Sequence, residues 1–540
     1  MKRKKLFLIG ILSLFLIVAF GSETKAFKLA CDRIEIKGYL RNQQVFRIDN
    51  LQRDFEHIQN RTTLRLEMLA NVADRIGYLR NVTFFGTLEP FYDAAFDMYS
   101  DNKTWGGVMF PNYRPDKQTG FLTRPGAGLH HGDRDDYSWK GYHNTWAWFK
   151  EYLVAFDIGR LNLRLGKQIV TWGRSDLFRL ADVINPQDFS WHFIFEGVEE
   201  TRIPLHIMQG IYDIGDVGPL ADVAFEFVFN PGDFTGDYLG YEGLPWNVIP
   251  EPGMHHWQRQ NRHYGKDNFE WGFRFEATTG HVNFTLNYFN APVDSFVLNL
   301  RDMFLNLFAT GVVDESLILR EYPRAQWIGF TAEYDESRFT KSILRTEFLF
   351  IKGRPHTIDA INALGIRDAA NVKPGDFNNY AAEVFAPGGN LDSTLDRDVI
   401  RYVIGWDRPT WIRLLNPMQS FFLTAQLFGT HILNRDGIRI MDGPYPVQST
   451  EFVASFVGWT DYVNGRLRPF WGFAYDFTSN AGLALLSLQY IHGNHWIYKV
   501  GSNLIWGRER NLVRDTSSLG GLICSARHND ELYFNIQYQF

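Results

Sequence analysis

Beyond its N-terminus this 540-residue chain has no long apolar stretch, so no second helix can cross a membrane. Charged residues make up only 21%, while aromatic residues reach 16%. A soluble enzyme of this size would concentrate its apolar residues in continuous strands or helical stripes. Here they are spread over short alternating runs. There are two cysteines, Cys31 and Cys524, too few for a disulfide framework. The sequence has no G-x-S-x-G, no H-E-x-x-H and no C-x-x-C. Gly159 to Lys167 does not make a phosphate loop, because Gln168 stands where Ser or Thr must meet the metal. No basic tract follows the N-terminus, which argues against nucleic acid as a partner.

The N-terminus reads as a secretory signal. Lys2, Arg3, Lys4 and Lys5 precede the apolar run Leu6 to Phe20, which is too short to be a good spanning helix. Thr24-Lys25-Ala26 offers a small-x-small cleavage site, so residues 1–26 are expected to leave and Phe27 to begin the mature chain. Cleavage removes five basic residues and one acidic one, taking the net charge from −6 to about −10. A lipid-modified Cys31 is rejected, because Lys28 stands where an aliphatic residue is wanted.

The mature chain alternates. Leu64, Leu66 and Met68 interleave with Arg65 and Glu67. Leu161, Leu163 and Leu165 interleave with Asn162 and Arg164; Trp271, Phe273 and Phe275 with Arg274 and Glu276. Leu344, Phe348 and Phe350 lie opposite Arg345 and Glu347; Ile400, Tyr402 and Ile404 opposite Arg401. A period of two puts alternate residues on opposite faces, one suited to lipid and one to water. The last strand, from Glu531, places Phe534, Ile536, Tyr538 and Phe540 on one face and Asn535, Gln537 and Gln539 on the other. Ending on Phe540 resembles the closing strand of Gram-negative outer-membrane β-barrels.

Short links alternate with long ones, roughly 100–142, 172–202, 231–266, 292–325, 353–397, 431–450 and 509–530. Short turns on one side and long loops on the other are the plan of such barrels. The expectation is therefore an all-β chain. It should form a single transmembrane antiparallel β-barrel over residues 27–540, with 16–18 strands, short periplasmic turns and long external loops. Eighteen candidate strands run from 33–47 to 531–540, and sixteen is the alternative. Both termini would be periplasmic and the site of action the outer membrane. Cys31 would sit at the periplasmic base and Cys524 in the last external loop, a wall height of roughly 25 Å apart, beyond disulfide reach.

The external loop Trp172 to Phe195, WGRSDLFRLADVINPQDFSWHFIF, is too apolar to lie in water. Ser175 or Asp176 is expected to cap a short helix carrying Leu177, Phe178, Leu180, Ala181 and Ile184, which Asn185-Pro186 ends. Such a loop must bury itself, and 172–202 is expected to fold into the lumen as a gate, a brace or both. The residues that would form the constriction are Trp172, Arg174, Asp176, Phe178, Arg179, Asp182, Asn185 and Asp188. Two more apolar helices are expected, one from Asp294 or Ser295 through Leu300 and Met303 to Gly311, the other after Thr357. The lumen charges Arg65, Glu67, Arg164, Arg274, Glu276, Arg345, Glu347 and Arg401 are expected chiefly to pair across strands.

No metal or cofactor is expected. His130-His131 with Asp133, Asp135 and Asp136, and His255-His256, read as solvated loop residues, since adjacent histidines point apart and fix no geometry. The chain is not expected to be an enzyme. The rival class, a hydrolase, would draw on His206, whose neighbours Leu205 and Ile207 favour a place in the wall.

Residues 161–188 read LNLRLGKQIVTWGRSDLFRLADVINPQD. Gly166, Lys167, Gln168, Trp172, Gly173, Asp182, Ile184, Asn185, Pro186 and Asp188 resemble the G-[KR]-Q, W-G and D-x-I-N-P-x-D pattern of a family of outer-membrane barrels catalogued as a domain of unknown function. Arg174 stands where members often carry an acidic residue. The resemblance implies an outer-membrane protein linked to export or uptake of hydrophobic compounds, alongside periplasmic or inner-membrane transport components. The function expected is passage of a small hydrophobic or amphipathic solute, with the lipid bilayer and the solute as partners. A general porin for hydrophilic solutes is the alternative.

Overall fold

The computed structural model describes residues 27–29, 32–48, 55–94, 149–189, 195–237, 258–259, 268–312, 314–358, 394–434, 440–442, 445–507, 518–527 and 529–540. The expected signal, Cys31 and both histidine pairs lie outside the described residues.

Eighteen antiparallel strands make the wall. In chain order they are β1 (Ile34–Ile48), β2 (Phe55–Ile76), β3 (Leu79–Leu88), β4 (Phe149–Ile158), β5 (Leu161–Gln168) and β6 (Leu205–Val217). Next come β7 (Leu220–Asn230), β8 (Glu270–Thr279), β9 (Val282–Pro292), β10 (Arg324–Glu336), β11 (Ser342–Ile358) and β12 (Thr394–Thr410). The last six are β13 (Phe421–Ile432), β14 (Thr450–Trp459), β15 (Leu467–Asp476), β16 (Ala481–His492), β17 (Trp496–Trp506) and β18 (Asp530–Gln539). Each pairs with its sequence neighbour. The sheet closes because β1 also pairs with β18, in a register from Tyr39 opposite Gln539 to Ile48 opposite Asp530. Gly38 and Phe540 exchange both backbone hydrogen bonds at 3.0 Å, so the C-terminal aromatic is the last rung of the seam. Closure leaves no strand edge unpaired, which a wall in lipid requires.

Every link at one end is ten residues or shorter, down to the pairs 77–78, 159–160, 218–219 and 280–281. The long links 89–148, 169–204, 231–269, 293–323, 359–393, 433–449 and 507–529 all lie at the other end. Even and odd residues differ as a membrane wall requires. On β11 Phe348 is 41% exposed while Leu349 beside it is 2%; on β12 Ile404 is 58% exposed and Val403 2%. The exposed face is the outer one, carrying Leu286, Phe273, Leu427, Phe456 and Phe534 among others.

The inner face is not uniformly polar. Near the short turns it carries charge, such as Arg345 and Glu347 on β11. Nearer the long loops it turns apolar, with Leu349 and Ile351 on β11, Trp327 on β10, Phe289 on β9 and Val399 on β12. Those side chains belong to the largest buried apolar cluster among the described residues, to which residues 170–184 add Val170, Trp172, Leu180, Ala181 and Ile184.

Among the described residues three α-helices lie in the long links: α1 (Val198–Thr201), α2 (Arg301–Thr310) and α3 (Ser518–Ser525). Two of the helices expected from sequence take another form. Residues 172–189 contain no helix, because Leu177 has φ 59°, a left-handed turn that stops propagation at once. Helix α2 starts at Arg301, not near Asp294. Val297–Asn299 is a short strand paired to Leu319–Glu321, and Asn299 Oδ1 accepts from the Arg301 N–H at 3.1 Å. Gly311, at φ 74°, ends the helix as expected. Thr357 caps nothing in the described residues. It lies within β11, and its Oγ1 accepts from Leu298 N–H at 2.7 Å.

Candidate functional site

The segment after β5 builds its shape from a few side chains that replace the missing helix. Asn185 makes three hydrogen bonds: its Oδ1 accepts from Val170 N–H at 2.8 Å, and its Nδ2 donates to the carbonyls of Ile203 and Gln168 at 2.9 and 3.2 Å. It thereby staples the outgoing chain, the returning chain and the end of β5. Pro186 supplies a carbonyl to Ile203 N–H, and Gln187 bridges Arg202. Asp182 is buried, lies 2.5 Å from Arg202 Nη2 and accepts from Trp172 N–H. Burial outweighs the guanidinium and pushes its carboxyl above the ordinary range. Asp188, also buried, donates its backbone N–H to Thr201. Ile184 goes into the apolar cluster.

From this base the segment reaches far round the wall. Trp172 donates Nε1–H to Glu226 on β7 at 3.0 Å and stands edge-on to Phe289 on β9, with ring centroids 6.0 Å apart. Gly272 on β8 makes room: a Cβ there would come within 2.9 Å of the indole. Arg174 reaches Glu276 (3.1 Å), Asn283 (2.5 Å) and Glu333 (2.6 Å) on β8, β9 and β10. Glu347 on β11 accepts from the backbone N–H groups of Arg174 and Ala181, at 2.5 and 3.0 Å. Asp176 pairs with Arg345, which also holds Asp407 of β12 at 2.5 Å. Phe178 meets Phe428 on β13 edge-on at 5.7 Å, and with Leu177 packs beside the β15–β17 cluster that holds Ile523, Cys524 and Leu519 of α3. A segment that leaves the wall at β5 thus touches inward-facing residues of β13, eight strands away. The returning half goes the other way. Glu196 pairs with Arg61 on β2, and Glu200 takes a bidentate contact from Arg41 on β1 at 2.7 and 2.9 Å.

Arg179 lies between Asp237 (3.3 Å) and Asp294 (3.6 Å) and also donates to the Asn185 carbonyl. Burial, with Asp237 beside it, holds the Asp294 carboxyl well above its ordinary range.

The eight constriction candidates are therefore all in the segment's own framework or its ties to the wall. Of the lumen charges, Arg65, Glu67, Arg274, Glu276 and Arg345 are held in ion pairs. Arg65 joins Glu67 (2.8 Å) and Glu89 (3.0 Å), and Arg274 joins Glu276 (3.0 Å) and Glu226 (3.6 Å). Arg164 is exposed, with Nε 3.2 Å from Asn162 Oδ1. Arg401 lines a cavity between the segment and β11–β14. Sequence reasoning missed Arg41, Glu196, Glu200 and Arg202, which anchor the return. Their signal was faint: Glu196, Glu199 and Glu200 are a run of acid inside an apolar loop that needs basic partners. His206 is in the wall on the face opposite Leu205 and Ile207, hydrogen-bonded to Tyr152 (2.7 Å) and Asp233 (2.6 Å).

The cavity has a volume of about 280 Å³ and an apolar side made by Leu177, Phe178, Phe189, Phe428, Val453 and Leu519. A second cavity, of about 350 Å³, opens at the short-turn mouth. It is lined by Lys37, Arg65, Glu67, Gln537 and Gln539 together with Tyr39 and Phe540.

Residues 49–540 match the family described as Protein of unknown function (DUF1302). The chain belongs to that family. No curated protein matches it. Among solved structures it is similar to OccAB1 of Acinetobacter baumannii, at 10% identity over 96% of this chain and 98% of that one, with a TM-score of 0.46. OccK5 (OpdH) of Pseudomonas aeruginosa is 9% identical over 94% of this chain and 98% of that one, TM-score 0.42. The outer membrane channel DcaP of Acinetobacter baumannii is 9% identical over 96% and 100%, TM-score 0.38. At these scores the fold assignment rests on the strand register, and Gly166 gives the matched G-[KR]-Q segment a physical reason. At φ 149° it brings β5 so close to β4 that a Cβ would lie 2.2 Å from the Tyr152 carbonyl oxygen.

Proposed function

We propose that this DUF1302 member is an outer-membrane channel for small amphipathic solutes, with residues 172–202 as its constriction. One observation carries the reading. An apolar segment leaves β5 and is tied to inward-facing side chains from β7 round to β13, and the space left beside it has one side of aromatic and aliphatic groups and another of charged and polar ones. A site with an apolar side and polar groups beside it suits a solute with a greasy body and a polar end. An eighteen-strand barrel is wide enough for an aqueous bore, so the segment, not the wall, would set what passes. The paired lumen charges act as structure in this account, and no catalytic role is assigned to His206.

The charged and amide side chains at the short-turn mouth, Lys37, Arg65, Glu67, Gln537 and Gln539, favour a second reading, a general porin for hydrophilic solutes. The two differ in how flux ranks with solute shape. In proteoliposomes 4-nitrophenyl glucoside should pass faster than glucose, although it is larger, because its aryl group finds the apolar wall. A flux that falls with size, glucose ahead of its aryl derivative, would establish the general porin instead.

A further inference from the structure

We infer that the cavity at the short-turn mouth is a binding site for a neutral polyhydroxylated ring, a single sugar unit. It lies at the other end of the bore from the cavity beside Phe178. The inference therefore goes beyond the channel reading above and does not depend on which solute passes the constriction.

The site straddles the seam of the barrel. On β18 the even residues Leu532 and Phe534 are exposed on the outer face, so the odd residues Gln537 and Gln539 turn inward. The register sets them beside the inward residues of β1 and β2. Tyr39 lies opposite both Gln539 and Arg65, and Lys37 lies opposite Glu67. Directly opposite side chains stand about 5 Å apart at their Cβ atoms. These six side chains therefore make one patch, and all of them line the cavity. Arg41, opposite Gln537, is committed elsewhere. Glu200 holds its guanidinium at 2.7 and 2.9 Å, and it lies over the Tyr39 ring at 5.4 Å, which fixes the ring in place.

Each side-chain charge in the patch has its opposite at hand. Lys37 Nζ lies 3.3 Å from Glu67, and Arg65 bridges Glu67 at 2.8 Å and Glu89 at 3.0 Å. An anion would meet Glu67, and a cation would meet Lys37 and Arg65, so the patch suits a neutral ligand. Its donors and acceptors are interleaved. Lys37 and Arg65 donate and Glu67 accepts. Gln539 commits Nε2 to the Asn494 carbonyl at 3.2 Å and keeps Oε1 as an acceptor. The Gln537 amide has no hydrogen-bond partner among the described residues, and it offers two donors and an acceptor. A hydroxyl both donates and accepts, so adjacent hydroxyls on a ring use both halves of such a set, whereas an ether or a ketone uses one. Tyr39 adds an aromatic surface for the C–H groups of the ring. At about 30 Å³ for each water-sized group, the volume of about 350 Å³ holds about twelve non-hydrogen atoms, the size of a hexose.

The test uses the full barrel in lipid nanodiscs, with empty nanodiscs as control, and saturation-transfer NMR with glucose as probe. It is run at mildly acid pH, where glucosamine is a cation. Glucose should bind saturably to the wild type. Glucuronate and glucosamine, the same ring with a negative or a positive charge, should each bind several-fold more weakly. Cyclohexylmethanol, which keeps one hydroxyl, should not displace glucose. Gln537→Ala should weaken glucose binding about fivefold, the loss of one hydrogen bond, while keeping the heat-modifiable gel migration of a closed barrel. Glu67→Gln takes the carboxylate from Lys37 and should reverse the order, with glucuronate ahead of glucose. Tighter binding of either charged sugar to the wild type would overturn the neutral site. So would displacement by cyclohexylmethanol, an unchanged affinity in Gln537→Ala or an unchanged order in Glu67→Gln. Glucose binding with these ratios in a protein that fails the aryl glucoside flux test would leave the site standing and sink the amphipathic-channel reading; faster aryl glucoside flux without glucose binding would do the reverse.

Discussion

Asn185 shows how a single side chain can substitute for a helix. With its three hydrogen bonds it joins residues 168, 170 and 203, which no backbone ladder connects. All its partners are buried main-chain groups, so removing the amide leaves donors and acceptors without water to replace it. Loss of one buried partner costs about 1–3 kcal/mol. Asn185→Ala should therefore loosen residues 170–203 by about that amount while the wall persists. Limited proteolysis should cut this segment in the variant before any loss of heat-modifiable migration. The sequence marks Asn185 as a helix stop before proline and as a constriction candidate; its role as a staple depends on Ile203, eighteen positions on, which no local pattern reveals. The same holds for Leu177. Apolar spacing over 177–184 suggests a helix, and the left-handed backbone at Leu177 forbids it.

At the scale of elements, strands were legible because each carries its own alternation, and one buried face sets the register. Each expected strand has its counterpart among β1–β18, and the corrections concern loops. The 293–299 stretch was expected to be helical from its apolar content, yet Val297 and Leu298 are consumed by strand pairing and only the part after Leu300 coils. This stretch meets the 172–202 segment through Arg179, Asp237 and Asp294, two carboxylates sharing one guanidinium. Because burial and Asp237 raise the Asp294 carboxyl, the folded state holds its proton more tightly than the unfolded chain does. Its contribution is then fully present below the ordinary carboxylate range and is lost as pH rises through the raised value, since stability falls with pH wherever the folded state binds more protons. The contact between the two loops should thus open as the solution is made more alkaline. Hydrogen exchange of residues 176–188 should quicken from pH 5 to pH 8 beyond its intrinsic pH dependence. Asp294→Asn should remove that excess; an unchanged excess in the variant would assign it to another group.

On the scale of the whole molecule, the wall and its contents answer to different rules. The wall is specified by a period of two repeated eighteen times and closed by Gly38 and Phe540, and it could be read from sequence alone. Its contents depend on contacts between residues over a hundred positions apart, such as Arg174 with Glu276 and Glu200 with Arg41. These are invisible without the closed barrel that brings the strands face to face. The change of the inner face from charged to apolar on β9–β12 is the trace that such contents leave on the wall, and Leu349 and Ile351 on the lumen side of β11 are its clearest instance.

The account stands on residues 172–202 narrowing the bore, and one measurement addresses that directly: single-channel conductance in planar bilayers of the wild type against a chain lacking residues 176–184. The deleted residues include Asp176, Phe178 and Ala181, the segment's ties to Arg345, Phe428 and Glu347. Their removal should raise conductance several-fold and abolish the advantage of the aryl glucoside over glucose, in a barrel whose gel migration is still heat-modifiable. Unchanged conductance with an unchanged order of solutes would contradict the account, and the segment would then be a brace inside the wall.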